Sequence, residues 1–260
     1  MICFLFFIQL DNSPALTSPR RHYMKRIKPA VLPFFLRLAG LILTALLIMN
    51  RDLRTRTARA VAGRGMLSLV QQTMEEPPRV ALTFDDGPNS KYTPMLLEGL
   101  RKRNILATFF LVGENIEGNE EILLEMQKDG HLIGNHTWDH VQLDKISREK
   151  ALQEIQKTNN RIYEVTGVYP SYIRPPFGAW QKDMELPFTM LPVFWDIDTL
   201  DWKSRSTDSI LSIVRSQVHD GSILLMHDSY QSSVDAALMI ADLLTEQGYD
   251  FVTVDQLLTL

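Results

Sequence analysis

The stretch Arg79-Val80-Ala81-Leu82-Thr83-Phe84-Asp85-Asp86-Gly87-Pro88 decides how the rest of the chain reads. Val80, Ala81, Leu82 and Phe84 make an apolar, partly β-prone run that predicts a buried strand. Gly87-Pro88 punctuates it. On an ideal strand successive side chains face opposite sides of the sheet, so Asp85 and Asp86 should diverge. At a strand end, where Gly87 frees the backbone, both can turn toward one pocket. Two such carboxylates repel each other unless a cation or a proton compensates each. The chain supplies partners for both.

After this stretch short apolar segments alternate with amphipathic ones. Strands are predicted over 79–84, 107–112, 132–135, 171–175, 192–197, 222–227 and 250–254. Helices are predicted near 93–103, 119–129, 147–166, 207–218 and 233–246. Asn119 and Ser147 suit N-caps, and Gly130, Gly167 and Gly248 stand where helices end. Alternation with about seven strands points to a parallel α/β sheet or barrel. Barrels carry their chemistry at the C-terminal ends of the strands.

The charge is unevenly spread along the 260 residues. Residues 1–78 hold 11 Lys and Arg against 4 Asp and Glu, a balance of +7, whereas residues 79–260 hold 16 against 27, a balance of −11. A globular part this acidic is not built for polyanions, which excludes nucleic acid as its partner. Cys3 is the single cysteine, so no intramolecular disulfide and no cysteine metal site forms. Segment 1–29 is a basic N-terminal stretch in which Met24-Lys25-Arg26-Ile27-Lys28 offers an alternative start. Residues 30–49, apolar except for Arg37, are long enough to cross a bilayer and predict a signal anchor or a signal peptide. The pairs Ala58/Ala60 and Ala60/Ala62 fit a cleavage pattern but lie behind Arg51, Arg54, Arg56 and Arg59, which favours an uncleaved anchor. Residues 50–78 read as a basic stalk, leaving 79–260 as the catalytic domain. The expected location is the cell membrane with the domain outside, or secretion if the segment is cleaved.

Four further stretches carry chemistry at predicted strand ends. His136-Thr137-Trp138-Asp139-His140 spaces two imidazoles i, i+4, one face of a helical turn, although two surface histidines would read the same. With a carboxylate from Asp85 or Asp86 they make the two-histidine, one-carboxylate set that leaves positions open on an ion. Asp139 is the competing ligand. Arg174-Pro175-Pro176-Phe177-Gly178 holds an Arg on a stiff loop, able to grip a carboxylate with two donors. Trp195-Asp196-Ile197-Asp198-Thr199-Leu200-Asp201-Trp202 concentrates carboxylates and indoles, a combination suited to sugar rings. Leu224-Leu225-Met226-His227-Asp228 ends a strand on a histidine.

Together the segments Thr83–Gly87, His136–His140, Arg174–Gly178, Asp198–Trp202 and Leu225–His227, in this order, resemble the polysaccharide deacetylases of the NodB-homology type, carbohydrate esterase family 4. The resemblance covers about residues 79–260 and implies a distorted (β/α)7-type barrel and a metal-dependent N-deacetylase. It implies that Asp86, His136 and His140 hold a divalent ion, zinc above all, with cobalt, nickel and manganese compatible with the same ligands. Asp85 is then the general base, kept ionised by Arg174. His227 protonates the leaving amine with Asp198 holding its imidazolium, and the Phe177 amide stabilises the oxyanion, where the family often has Tyr. Leu225 and Trp202 wall the acetyl pocket. The expected substrate is N-acetylglucosamine in peptidoglycan, released as a free amino sugar and acetate. Chitin oligosaccharides, another exopolysaccharide, or mere carbohydrate binding without catalysis are the rival readings.

Overall fold

The computed structural model describes residues 76–258 apart from 182, 183 and 188, together with residues 40, 44, 47, 49 and 50. The chain divides into two compact units, Met1–Met74 and Glu75–Leu260. In the first, the described residues are helical, and the Thr44 hydroxyl donates to the Gly40 carbonyl at 3.1 Å. Most of the expected membrane segment 30–49 lies outside the described residues, as do segment 1–29 and most of the stalk. Among the described residues no helix is long and apolar enough to cross a membrane.

The second unit alternates strands and helices in chain order. Its strands are β1 (Arg79–Gly87), β2 (Thr108–Leu111), β3 (Leu132–Asn135), β4 (Tyr172–Ile173), β5 (Leu191–Pro192), β6 (Ile197–Asp198), β7 (Ser222–His227) and β8 (Asp250–Phe251). Its α-helices are α1 (Tyr92–Arg103), α2 (Glu120–Lys128), α3 (Arg148–Thr166), α4 (Asp201–Ser204), α5 (Thr207–Gln217), α6 (Gln231–Glu246) and α7 (Val254–Leu258). Strand order is β5-β4-β3-β2-β1-β7-β6, with β8 beside the start of β1, and every pairing is parallel. Among the described residues no pairing joins β5 to β6, so the expected barrel is an open half-barrel with these two strands as its edges.

The predicted strand 192–197 is thus two strands on opposite edges. Val193 still donates to the Ile173 carbonyl of β4, at 2.8 Å, and Asp196 already bonds the Ile223 carbonyl of β7, at 3.0 Å. One apolar run bridges the gap, and hydrophobicity alone does not register the change of neighbour. The predicted strand 250–254 also stops early, because Thr253 starts α7. Its amide donates to Gln256 Oε1 at 3.1 Å, one half of a Thr-x-x-Gln capping box. Ser147 caps α3 as expected, its hydroxyl accepting from the Lys150 amide at 3.2 Å. Asn119 makes no side-chain cap; its side-chain Nδ2 donates instead to the Asn115 carbonyl at 2.9 Å. Gly130, Gly167 and Gly248 all adopt positive φ.

Strand alternation divides the interior into two environments. Val80, Leu82 and Phe84 point outward and pack with Leu96, Leu97 and Leu100 of α1 and Ala237 and Ile240 of α6. Ala81 points inward, in a second cluster with Phe110, Val193 and Val254. Period two therefore carries Thr83 and Asp85 to the inner wall as well. This is why a polar Thr and an acid interrupt an otherwise apolar strand.

Candidate active site

The predicted residues assemble at the C-terminal ends of β1, β3, β4 and β7. Asp85 reaches the inner wall by strand alternation and is 3 % exposed. Asp86 reaches it by a break in the pattern. The β1–β2 register shifts between Asp85 and Gly87, and Asp86 itself takes φ 70°. The Asn115 side chain holds this bulge by donating to the Asp86 carbonyl at 2.8 Å. The backbone freedom assigned to Gly87 is therefore used at Asp86, which takes the left-handed conformation. Gly87 is needed for another reason: a Cβ there would lie 2.7 Å from Oδ2 of the fully buried Asp228.

Asp86 Oδ1 lies 3.3 Å from His136 Nε2 and 3.2 Å from His140 Nε2. The ligand atoms of the three residues lie within 4.8 Å of one another. The two histidines are not on a helical turn. They flank an irregular loop in which Thr137 and His140 take φ 67° and 57°. His136 Nδ1–H donates to the Arg174 carbonyl at 2.6 Å, which leaves the Nε2 lone pair facing Asp86. Asp86 Oδ1 is buried and, among the described residues, has no hydrogen-bond partner. Burial pushes the Asp86 carboxyl up, but the close approach of His136, His227 and His140 outweighs it and holds the group down at about 2. Burial, reinforced by neighbouring His136, pulls His140 below its ordinary value and keeps it neutral near pH 7. An anionic oxygen and imidazole lone pairs converging without a proton between them fit a divalent cation. Asp139 is exposed and stays out of the cluster.

Arg174 is fully buried beneath Asp85, its guanidinium 4.4 Å above the Phe110 ring. Nη1 donates to Asp85 Oδ1 at 2.9 Å and to the Thr83 hydroxyl at 2.6 Å, while Nη2 donates to the Phe194 carbonyl at 3.0 Å. The grip on Asp85 is therefore single, and the remaining donors anchor the Arg to the chain that bridges the half-barrel's gap.

His227 stands across from Asp85 in the β1–β7 register, its Nε2 3.9 Å from Asp86 Oδ2. Its expected partner Asp198 is elsewhere: Asp198 Oδ1 accepts from the Leu200 amide at 2.9 Å, closing a tight turn. Asp201 holds the imidazole instead, its Oδ1 at 2.8 Å from Nδ1 and its Oδ2 accepting from the His227 amide at 2.8 Å and the Ser233 hydroxyl at 2.7 Å. The left-handed turn at Leu200 swings Asp201 back under β7 at the start of α4, where it is wholly buried. Burial works against a charged His227, yet the Asp201 bond and charge, with Asp85 and Asp86, overcome it and raise the group to about 9.

Leu225 shares the inner face with Thr83, its register partner. Trp202 and Phe177 are exposed at the rim, and the Phe177 ring meets His140 edge-on at 4.8 Å. Phe177 takes φ 61°, and among the described residues its amide has no acceptor. Two supports escaped the sequence reading: Asp201, hidden behind the equally plausible Asp198, and Glu154 of α3, which accepts from the Trp138 and Asp139 amides at 3.1 and 3.2 Å. Nothing in the local sequence around Glu154 marks it, since its partners lie 15 and 16 residues away.

Residues 73–189 match the family model described as polysaccharide deacetylase. The chain is 39% identical over 194 residues to the Bacillus subtilis protein named peptidoglycan-N-acetylmuramic acid deacetylase PdaC, covering 74% of this chain and 42% of that protein. It is 34% identical over 187 residues to a Bacillus cereus protein named peptidoglycan-N-acetylglucosamine deacetylase, covering 69% of this chain and 87% of that one. It spans about two fifths of the length of the first curated relatives it matches. The solved structure of B. subtilis PdaC superposes with a TM-score of 0.68 at 40% identity, covering 70% of this chain and 90% of that chain. The chain belongs to the polysaccharide deacetylase family.

Proposed function

We propose that the domain removes N-acetyl groups from aminosugars of peptidoglycan, releasing acetate and a free amine. The observation that carries this reading is the flanking of one cation-binding cluster by two differently partnered groups, Asp85 on Arg174 and His227 on Asp201. A divalent ion held by Asp86, His136 and His140, zinc before cobalt, nickel or manganese, would polarise the acetamide carbonyl and acidify water. Asp85 takes the proton from the attacking water, and Arg174 fixes the direction of its lone pair. His227, charged below about pH 9, carries the proton for the departing amine. Asp201 keeps the Nε2–H aimed into the site. The unpartnered Phe177 amide is a donor free to meet the oxyanion, and Leu225 and Trp202 border the acetyl group.

The names of the relatives support peptidoglycan as the polymer and divide over the sugar. We assign N-acetylglucosamine; the 39% identity to a protein named for N-acetylmuramic acid gives the second reading. A membrane anchor over 30–49, with the domain outside the cell, belongs to the same proposal because it brings the domain to its polymer. The test is mass spectrometry of muropeptides after incubating purified peptidoglycan with the protein, with and without chelator. Metal-dependent loss of acetyl from glucosamine is expected. Loss from muramic acid alone would move the assignment to the second sugar, and no loss from either would refute the function.

A further inference from the structure

The loop that carries His136 and His140 is held in an unusual shape by groups outside it. Thr137 and His140 both occupy the left-handed region, which non-glycine residues keep only where their surroundings over-determine it. Three sides of the loop are accounted for. Asn135 Oδ1 accepts from the Thr137 amide at 2.7 Å, and the Asn135 side-chain amide is itself tied to α3 through Asn159 and the Ile155 carbonyl. The Thr137 and Trp138 carbonyls accept from the Gly113 and Glu114 amides, both at 2.9 Å. Lys157 lies 3.6 Å from the centre of the Trp138 ring.

The amides of Trp138 and Asp139 remain, and both point at one oxygen, Oε2 of Glu154. Glu154 is buried, with 8 % of its surface exposed, and among the described residues it forms no ion pair with a basic side chain, an unusual position for an acid. Its two hydrogen bonds are directed to the residues midway between the histidines, while burial and the neighbouring Asp139 carboxyl push its own carboxyl up. We propose that Glu154 is a positioning residue for the metal cluster, setting the backbone between His136 and His140 so that both Nε2 atoms converge on Asp86. This rests on the metal reading of that cluster. Removing supports one step beyond the ligands typically weakens a metal site 10–100-fold.

The test is cobalt(II) titration of the metal-stripped full chain, read by visible absorption and by competition with a chelator. Glu154→Ala is expected to bind cobalt about 10–100-fold more weakly than the unsubstituted protein, with altered ligand-field bands. Glu154→Gln, which keeps an oxygen in place, should restore most of the affinity. A Glu154→Ala chain that is folded by circular dichroism and matches the parent in affinity and spectrum overturns the proposal. If that variant does not fold, hydrogen exchange in the parent decides: protected Trp138 and Asp139 amides support the proposal, and free exchange at both overturns it. A parent chain that takes up no cobalt refutes the metal reading itself, a result distinct from a variant that binds normally.

Discussion

Replacing Asp201 by Asn removes the charge beneath His227 while keeping the side chain's size. The imidazole stands about 2.5 units above its ordinary 6.5, a preference for the charged form worth roughly 3 kcal/mol at 1.36 kcal/mol per unit. Burial, the largest single influence, opposes that charge, and Asp201 is the foremost of the groups that reverse it. In Asp201→Asn the imidazole pKa should fall, and acetate release at pH 7.5 should drop on the order of 10²–10³-fold. The alkaline limb of the rate–pH curve should move down with it. Because the raised pKa belongs to the folded state, its stabilisation is full below about 6.5 and is lost as pH rises through about 9. The stability gap between parent and variant should therefore be widest near pH 6 and close above pH 9, as urea titrations at the two pH values would read. Asp198→Asn is the control. It weakens one turn contact and should change the rate by no more than a few fold. Imidazole NMR titration reports the pKa directly. An Asp201→Asn protein with the parent's alkaline limb, beside an Asp198→Asn protein that has lost it, would refute the assignment of the imidazole's partner.

Gly87→Ala drives a methyl to 2.7 Å from Oδ2 of buried Asp228 and should destabilise the domain by about 1–3 kcal/mol in chemical denaturation; parental stability would mean that the β1 end yields freely. Arg174→Met leaves Asp85 buried without its cation and should cost about 3–5 kcal/mol as well as the activity, measured by denaturation and acetate release, so a stable variant would contradict the pairing. His136→Ala deletes one of three donors, and metal analysis should find the ion lost while circular dichroism stays near the parent's; full metal content would remove His136 from the ligand set.

The sequence was most legible where a local rule and the fold agree. The run 79–84 continues as β1 because its outward residues are large and apolar, and the helices over 148–166 and 231–246 follow their apolar faces. The clusters at strand ends singled out His136, His140 and a carboxylate from Asp85 or Asp86, and the family resemblance picked Asp86, which the structure does bring together with the two histidines. Legibility failed where backbone direction, not residue type, decides. Asp198 and Asp201 are chemically the same, and only the left-handed Leu200 determines which of them turns under His227. The His136–His140 spacing fits a helix, yet Asn135 and Glu154 supply the bonds that a helix would have made internally. The 192–197 run fits one strand, but its two ends bond to opposite edges of the half-barrel.

The different surroundings of Asp85 and Asp86 follow from how β1 ends. While β1 stays in register with β7, Thr83 faces Leu225 and Asp85 faces His227, so the acid and base candidates share the inner wall as strand neighbours. Neighbouring strands lie about 4.8 Å apart, close enough for two groups to serve opposite ends of one small amide. One residue later the register with β2 shifts, and Asp86, which alternation would have sent to the helix side, turns in toward His136 and His140. A regular strand could deliver only one of these carboxylates to the pocket. The bulge delivers the second at a different height, where it meets imidazoles and not Arg174. The candidate proton-transfer pair is thus built by sheet register and the candidate cation cluster by its local failure. Changes in the bulge and its support Asn115 should accordingly weaken metal binding while leaving the Asp85–Arg174 contact in place.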